Sequence, residues 1–172
     1  ASHDINHSGF SLKNKLLLVN ELKKYVTVFI SSEKPLPNEL KKYKFPLEIG
    51  KMEDAMAYAS LIFGESATMV SEGAVLGVPG VYIDSTGRFY TEEQEKKYKI
   101  VYRYSESLEN QIESIKKAVG ILQSNHSERY VAIRERILDD KIDVTSFMIW
   151  FVENYPKSVS QIKSDPNYSY KF

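Results

Sequence analysis

A chain of 172 residues, 42% hydrophobic and 27% charged, is long enough to bury one core and too short for two domains of ordinary size, so one domain is expected over 1–172. Its 23 Lys and Arg balance 23 Asp and Glu, which removes the general electrostatic case for a nucleic-acid or anionic-membrane partner. The absence of Cys excludes disulfides, thiolate metal sites and a cysteine nucleophile, and it fits a reducing compartment, with the cytoplasm as the expected location.

The opening ASHDINHSGF is polar and loop-like and carries no initiator Met, so the chain is expected to be a piece of a longer protein whose N-terminal domain is missing from it. No apolar run reaches the roughly 18 residues of a membrane span, and no basic segment leads into an apolar one as in a secretory signal. From Ser11 onward, Leu12, Leu16, Val19 and Leu22 recur at helical spacing. The β-branched and aromatic run VTVFIS then predicts a buried strand. PLPNELKKY reads as a short helix, FPLEI as a short strand, KMEDAMAYAS as a helix and LIFGE as a strand ending on Gly64. TMVSEGAVLG is a helix closed by Gly77 and Pro79, and GVYID the next strand.

After Asp84 the polar stretch STGRFYTEEQEKKYK opens as a loop with Gly87 and continues as a short charged helix, and KIVYRYS is a last strand. Leu108, Ile112, Ile115 and Val119 mark an amphipathic helix whose first turn Ser107 can cap. Beyond residue 124 the pattern is helical to about 157, with Asp143 as a cap and Pro156 as a stop. The Tyr-rich tail 158–172 is expected to lie over the surface or to fray. Alternating helices and strands with short connections predict an α/β fold: a Rossmann-like parallel sheet with helices on both faces over 1–124 and a C-terminal helical segment over 125–157.

In an open parallel sheet, ligands bind beyond the carboxyl ends of the strands, where helix N-termini offer unpaired N–H groups to anions. The turn in LIFGESATMVSEGAVLG has that form. Small residues at Ser66 and Ala67 let a phosphate approach the backbone, the Ser66 and Thr68 hydroxyls can donate to it, and Glu72 lies about one turn on, where a carboxylate can accept from paired sugar hydroxyls. The plainer alternative is that Ser66 or Thr68 only caps the helix and Glu72 is solvated. Glu33, after VTVFISS, is a candidate substrate contact or general base, or an ordinary loop carboxylate. Arg88 is a candidate for a second phosphate or a carboxylate on an acceptor, or a solvated side chain. His3, Asp4 and His7 contain ligand types for a metal, but Gly9 and polar neighbours argue for a loop, and no metal site is expected. The aromatic stripe Phe147, Trp150 and Phe151 reads as packing.

The stretch from Pro46 to Asp84 resembles the nucleotide-binding half of GT-B fold proteins, above all the UDP-N-acetylglucosamine 2-epimerase family. That family's pattern there is a strand, Asp-Ser-Gly-Gly, two further positions, Glu-Glu, then Leu-Gly-x-Pro before the next strand. The Ser matches Ser66, the second Glu matches Glu72, and the last motif is Leu76, Gly77, Val78, Pro79, while His3 stands where the family's His-Arg-x-Glu-Asn loop has its His. The Gly-Gly is Ala67-Thr68 here, and the loop's Arg and Glu are Asp4 and Asn6, which separates this chain from the epimerase pattern. The chain is also similar, over roughly residues 2 to 155, to an uncharacterised family of bacterial and archaeal GT-B-like proteins. The shared series is His3-Asp4 with Gly9, Ser31-Ser32-Glu33 with Leu36-Pro37, Gly64 to Met69 with Glu72, and Val75 to Pro79.

The resemblance implies the C-terminal, donor half of a glycosyltransferase-like enzyme of glycan or polysaccharide synthesis. A UDP-sugar would be its donor substrate, with no cofactor: the diphosphate at Ser66, Ala67 and Thr68, the ribose on Glu72 and the base near Ile49 to Met52. His3 and Glu33 become candidate catalytic residues. The alternatives are a UDP-sugar 2-epimerase or hydrolase and a non-catalytic nucleotide-sugar-binding or interaction module. Since GT-B proteins commonly return a C-terminal helix to the N-terminal domain, a truncated chain is expected to expose part of the aromatic helix, with a homodimer as the consequence.

Overall fold

The computed structural model describes residues 9–46, 48–124 and 127–172. These fall into two compact units divided after Ile133.

The first unit is built on a three-stranded parallel sheet in the order β1 (Ile62–Gly64), β2 (Gly80–Ile83), β3 (Val101–Tyr104). Ile62 pairs with Gly80 and Gly80 with Val101, and the register holds along both ladders. Side chains alternate between the faces of a strand, and all four residues of β2 are buried, so both faces of the sheet are covered. Helix α3 (Ala67–Val75) joins β1 to β2, and α4 (Phe89–Glu93) with a π-helical turn over Gln94–Tyr98 joins β2 to β3. Right-handed crossovers in an unreversed strand order place these connections on one face. Helix α5 (Leu108–Gln123) lies on β2 and β3 and against α1 (Leu12–Leu22), while α3 lies against α4 and the short α2 (Met52–Ala57). The core holds Val70, Ala74, Val81, Ile83, Ile100, Val101 and Ala118.

Close approach of α3 to the sheet depends on two glycines. A Cβ on Gly73 would meet Ile62 Cδ1 at 2.2 Å, and one on Gly80 would meet Val70 Cγ1 at 2.5 Å. Helix α3 ends as its sequence predicts, with Gly77 at φ 85° just past the last turn.

Several elements differ from expectation. The run VTVFIS is extended but is no member of the sheet: Val26, Val28 and Ile30 are half-buried and Thr27 and Phe29 exposed. Its ladder is a single parallel bridge of Ile30 to Lys44. The chain turns immediately afterwards, where Ser32 Oγ accepts from the Lys34 N–H at 3.3 Å. FPLEI forms no strand in its described residues; Pro46 has no N–H for a central strand, and Ile49 already begins a 3-10 turn. PLPNELKKY is a 3-10 helix over Asn38–Tyr43 that buries Leu40. The stretch expected as a charged helix also buries Thr91, Gln94 and Tyr98, so it is a wall of the core. In α5 the buried face is Gln111, Ser114, Ile115, Ala118 and Ile121, whereas Leu108 is 69% exposed. Small and polar residues on that face let α5 lie close to its neighbours. Ser107 caps α5 as predicted, accepting from Asn110 N–H at 3.2 Å.

The second unit begins within α6 (Ser127–Asp139) and continues through α7 (Val144–Glu153), α8 (Lys157–Ser164) and a 3-10 turn over Pro166–Lys171. Asp143 caps α7, accepting from the Ser146 N–H at 3.0 Å and the Ser146 hydroxyl at 2.8 Å. The tail is helical and does not fray: Tyr168 and Phe172 stack on Trp150 at 4.8 and 5.3 Å between ring centroids, and Phe147 meets Phe172 at 5.7 Å. Pro156 separates two helices and starts the second. The α7 residues Met148, Ile149 and Val152 are exposed. Among the described residues, no helix is long and apolar enough to cross a membrane.

Candidate functional site

The turn from β1 into α3 follows from local chemistry. Gly64 ends the strand, Ser66 takes an extended backbone at φ −95° and ψ 109°, and its Oγ accepts from the Met69 N–H at 3.4 Å. Ser66 is therefore the helix cap of the plainer reading, and its own proton stays available to a second partner. Ala67 is buried, which brings the first turn down onto the sheet, and Thr68 is exposed. The N–H groups of Ala67 and Thr68 precede the first bond within the helix and open toward its end.

Thr68, Ser71 and Glu72 fall at i, i+3 and i+4 and so share one face of α3. With Tyr90 from α4 they line an open groove of about 360 Å³. The two walls are tied together from below. Gln94, four residues after Tyr90 and buried, donates from Nε2 to the Ser71 hydroxyl at 2.9 Å and to the Ser71 carbonyl at 3.2 Å. Of the expected binding residues, Thr68 and Glu72 thus meet in one groove, with Ser66 at the head of the same helix. Met52 opens α2, and the backbone of Ile49 opens the 3-10 turn before it. Glu33 is exposed in a bend after a segment outside the sheet, so the strand that would carry it to the rim is not there. His3, Asp4 and His7 lie outside the described residues. Arg88 is exposed at the start of α4.

Two polar residues that sequence reasoning missed organise the rim. Glu65 accepts from the Phe10 N–H at 2.5 Å and pairs with Lys15 at 3.3 Å, turning its carboxylate toward the start of α1. Gly9 is required beside it: φ is 63°, and a Cβ there would stand 2.6 Å from Glu65 Oε1. Gln111, at the start of α5, accepts from the Ser11 N–H at 3.1 Å and from Asn14 Nδ2 at 2.8 Å, and donates to the carbonyls of Gly9 at 3.3 Å and Glu106 at 2.8 Å. The available signal was a Gln one turn past a cap on the stripe of an amphipathic helix, where an apolar residue is usual.

Asp84 closes β2. It accepts from the Tyr82 hydroxyl at 2.7 Å, from the Thr86 hydroxyl at 2.7 Å, and from the N–H groups of Thr86 at 3.1 Å and Gly87 at 3.0 Å. Burial alone would raise its carboxyl, but these hydrogen bonds hold it down at about 2. Burial, and next the bond to Asp84, push the Tyr82 phenol up. The folded Asp84 carboxyl titrates below an unfolded one at about 3.9, so the stability it contributes is present above that value and is lost as pH falls toward 2. Urea unfolding of Asp84→Asn should give a protein about 1 kcal/mol less stable than wild type at pH 6, with the gap closing by pH 2. A gap that persists unchanged at pH 2 contradicts this assignment.

Among the described residues no group of three or more His, Asp or Glu is placed to hold a metal ion. Comparison with family models, with curated proteins and with solved structures gave no match.

Proposed function

We propose that this chain is the donor-binding, Rossmann-like half of a GT-B glycosyltransferase-like enzyme and that it takes a UDP-sugar. The observation that carries the reading is the shared face of Thr68 and Glu72, one turn apart on α3, the helix that follows β1, and lining one open groove with Tyr90. Anions favour the start of α3, at the head of that face, because the N–H groups of the first helical turn and the positive end of the helix dipole point out there. The diphosphate sits at Ser66 to Thr68, the ribose hydroxyls donate to Glu72, and the base extends toward Ile49 to Met52. In a transfer reaction the same N–H groups and hydroxyls stabilise the departing diphosphate, since negative charge grows on it as the glycosidic bond breaks. On this reading the part of these residues in the reaction is donor binding, and turnover needs catalytic groups from across a cleft between two domains.

Calorimetric titration with UDP tests the reading. Wild type should bind, Glu72→Ala should weaken binding about tenfold through loss of a charge-assisted pair of hydrogen bonds, and Ser66→Ala should weaken it while lowering stability by about 1 kcal/mol. No heat with UDP, or equal affinity in Glu72→Ala, sinks the proposal.

A further inference from the structure

Of the four residues lining the groove, Tyr90 alone comes from outside α3. It is 43% exposed, although its neighbours at 91, 94 and 98 bury the other face of the same segment. Its position is also held. Gln94 is one turn further on and is fastened to Ser71, so the wall that presents Tyr90 and the wall that presents Glu72 are linked by two hydrogen bonds. A half-exposed aromatic ring across from a carboxylate and two hydroxyls matches a pentose or hexose ring in chemistry: the C–H face of the ring lies on the aromatic, and its hydroxyls reach the polar side.

Resting on the nucleotide reading above, we propose that Tyr90 is the platform for the sugar ring of the bound nucleotide, acting through its aromatic face. This role does not depend on the Tyr90 hydroxyl, so phenylalanine should replace it.

The experiment is titration of the 172-residue chain and its Tyr90→Ala and Tyr90→Phe variants with UDP, with saturation-transfer NMR on uridine bound to the wild-type chain. The expected result is roughly tenfold weaker binding in Tyr90→Ala and unchanged affinity in Tyr90→Phe, with the strongest saturation transfer to the ribose protons. If Tyr90→Ala binds as tightly as wild type while Glu72→Ala is weakened, the platform is overturned and the nucleotide site stands. A loss in Tyr90→Phe equal to that in Tyr90→Ala assigns the contact to the hydroxyl and also overturns it. No binding of UDP or uridine by the wild-type chain overturns both proposals. The NMR arm uses no variant, so it can overturn the platform even if a substitution unfolds the domain: transfer confined to the base protons contradicts it.

Discussion

Replacing Gln111 with Leu should destabilise the first unit by about 3 kcal/mol, a loss read as a lowered midpoint in urea or thermal unfolding. Gln111 is 2% exposed and its amide uses both ends: it accepts from Ser11 and Asn14 and donates to the carbonyls of Gly9 and Glu106. Leucine fills much of the same volume, so the cost arises from stranding polar groups and only slightly from a cavity. Asn14 is itself buried, and its Nδ2 would lose the partner it has at 2.8 Å. Adding Asn14→Leu to the Gln111→Leu chain should therefore cost less than the two single losses summed, because removing both members of a buried pair leaves fewer unpaired groups than removing one. A loss below about 1 kcal/mol in Gln111→Leu, or strict additivity of the pair, contradicts the network.

The second large effect contrasts two apolar residues that a pattern reading treats alike. Ile83→Ala should cost about 3 kcal/mol, since Ile83 is 1% exposed on the central strand and truncation there leaves a cavity between sheet and helix. Phe29→Ser should cost no more than about 1 kcal/mol, because Phe29 is 56% exposed on a segment that is not a member of the sheet and its ring meets Phe45 edge-on at 6.2 Å. Were VTVFIS a buried strand, the order would reverse, a serine in place of a buried phenylalanine being among the costlier changes. Denaturant midpoints of the two variants, compared at equal slope, decide between the two arrangements.

Features that rest on neighbours within a turn were legible. The caps at Ser66, Ser107 and Asp143 and the Gly77 stop all come from interactions spanning three or four residues. Features that need a distant partner were not. VTVFIS has strand composition, yet a strand exists only if another edge pairs with it, and the bridge to Lys44 ends where Ser32 turns the chain. The tail 158–172 read as a segment lying over the surface or fraying because its tyrosines carry no period; its end is ordered by stacking of Tyr168 and Phe172 on Trp150, eighteen or more residues earlier. Leu108 looked like the first core residue of α5, but the face that buries is set by where α1 and the sheet lie, and they select Gln111 instead.

The candidate site divides in the same way. The turn after LIFG, the Ser66 cap and the spacing that puts Thr68 and Glu72 on one side of α3 can be read along the chain alone, because helix geometry converts an i, i+4 interval into a shared face without reference to anything else. Folding in three dimensions is what brings Tyr90 to the same groove, ties its segment to Ser71 through Gln94, turns Glu65 away to α1, and leaves Glu33 behind a segment outside the sheet. Those placements depend on how α3, α4 and α1 lie on β1, β2 and β3, and that arrangement is selected by burial summed over the whole core rather than by any interval along the chain.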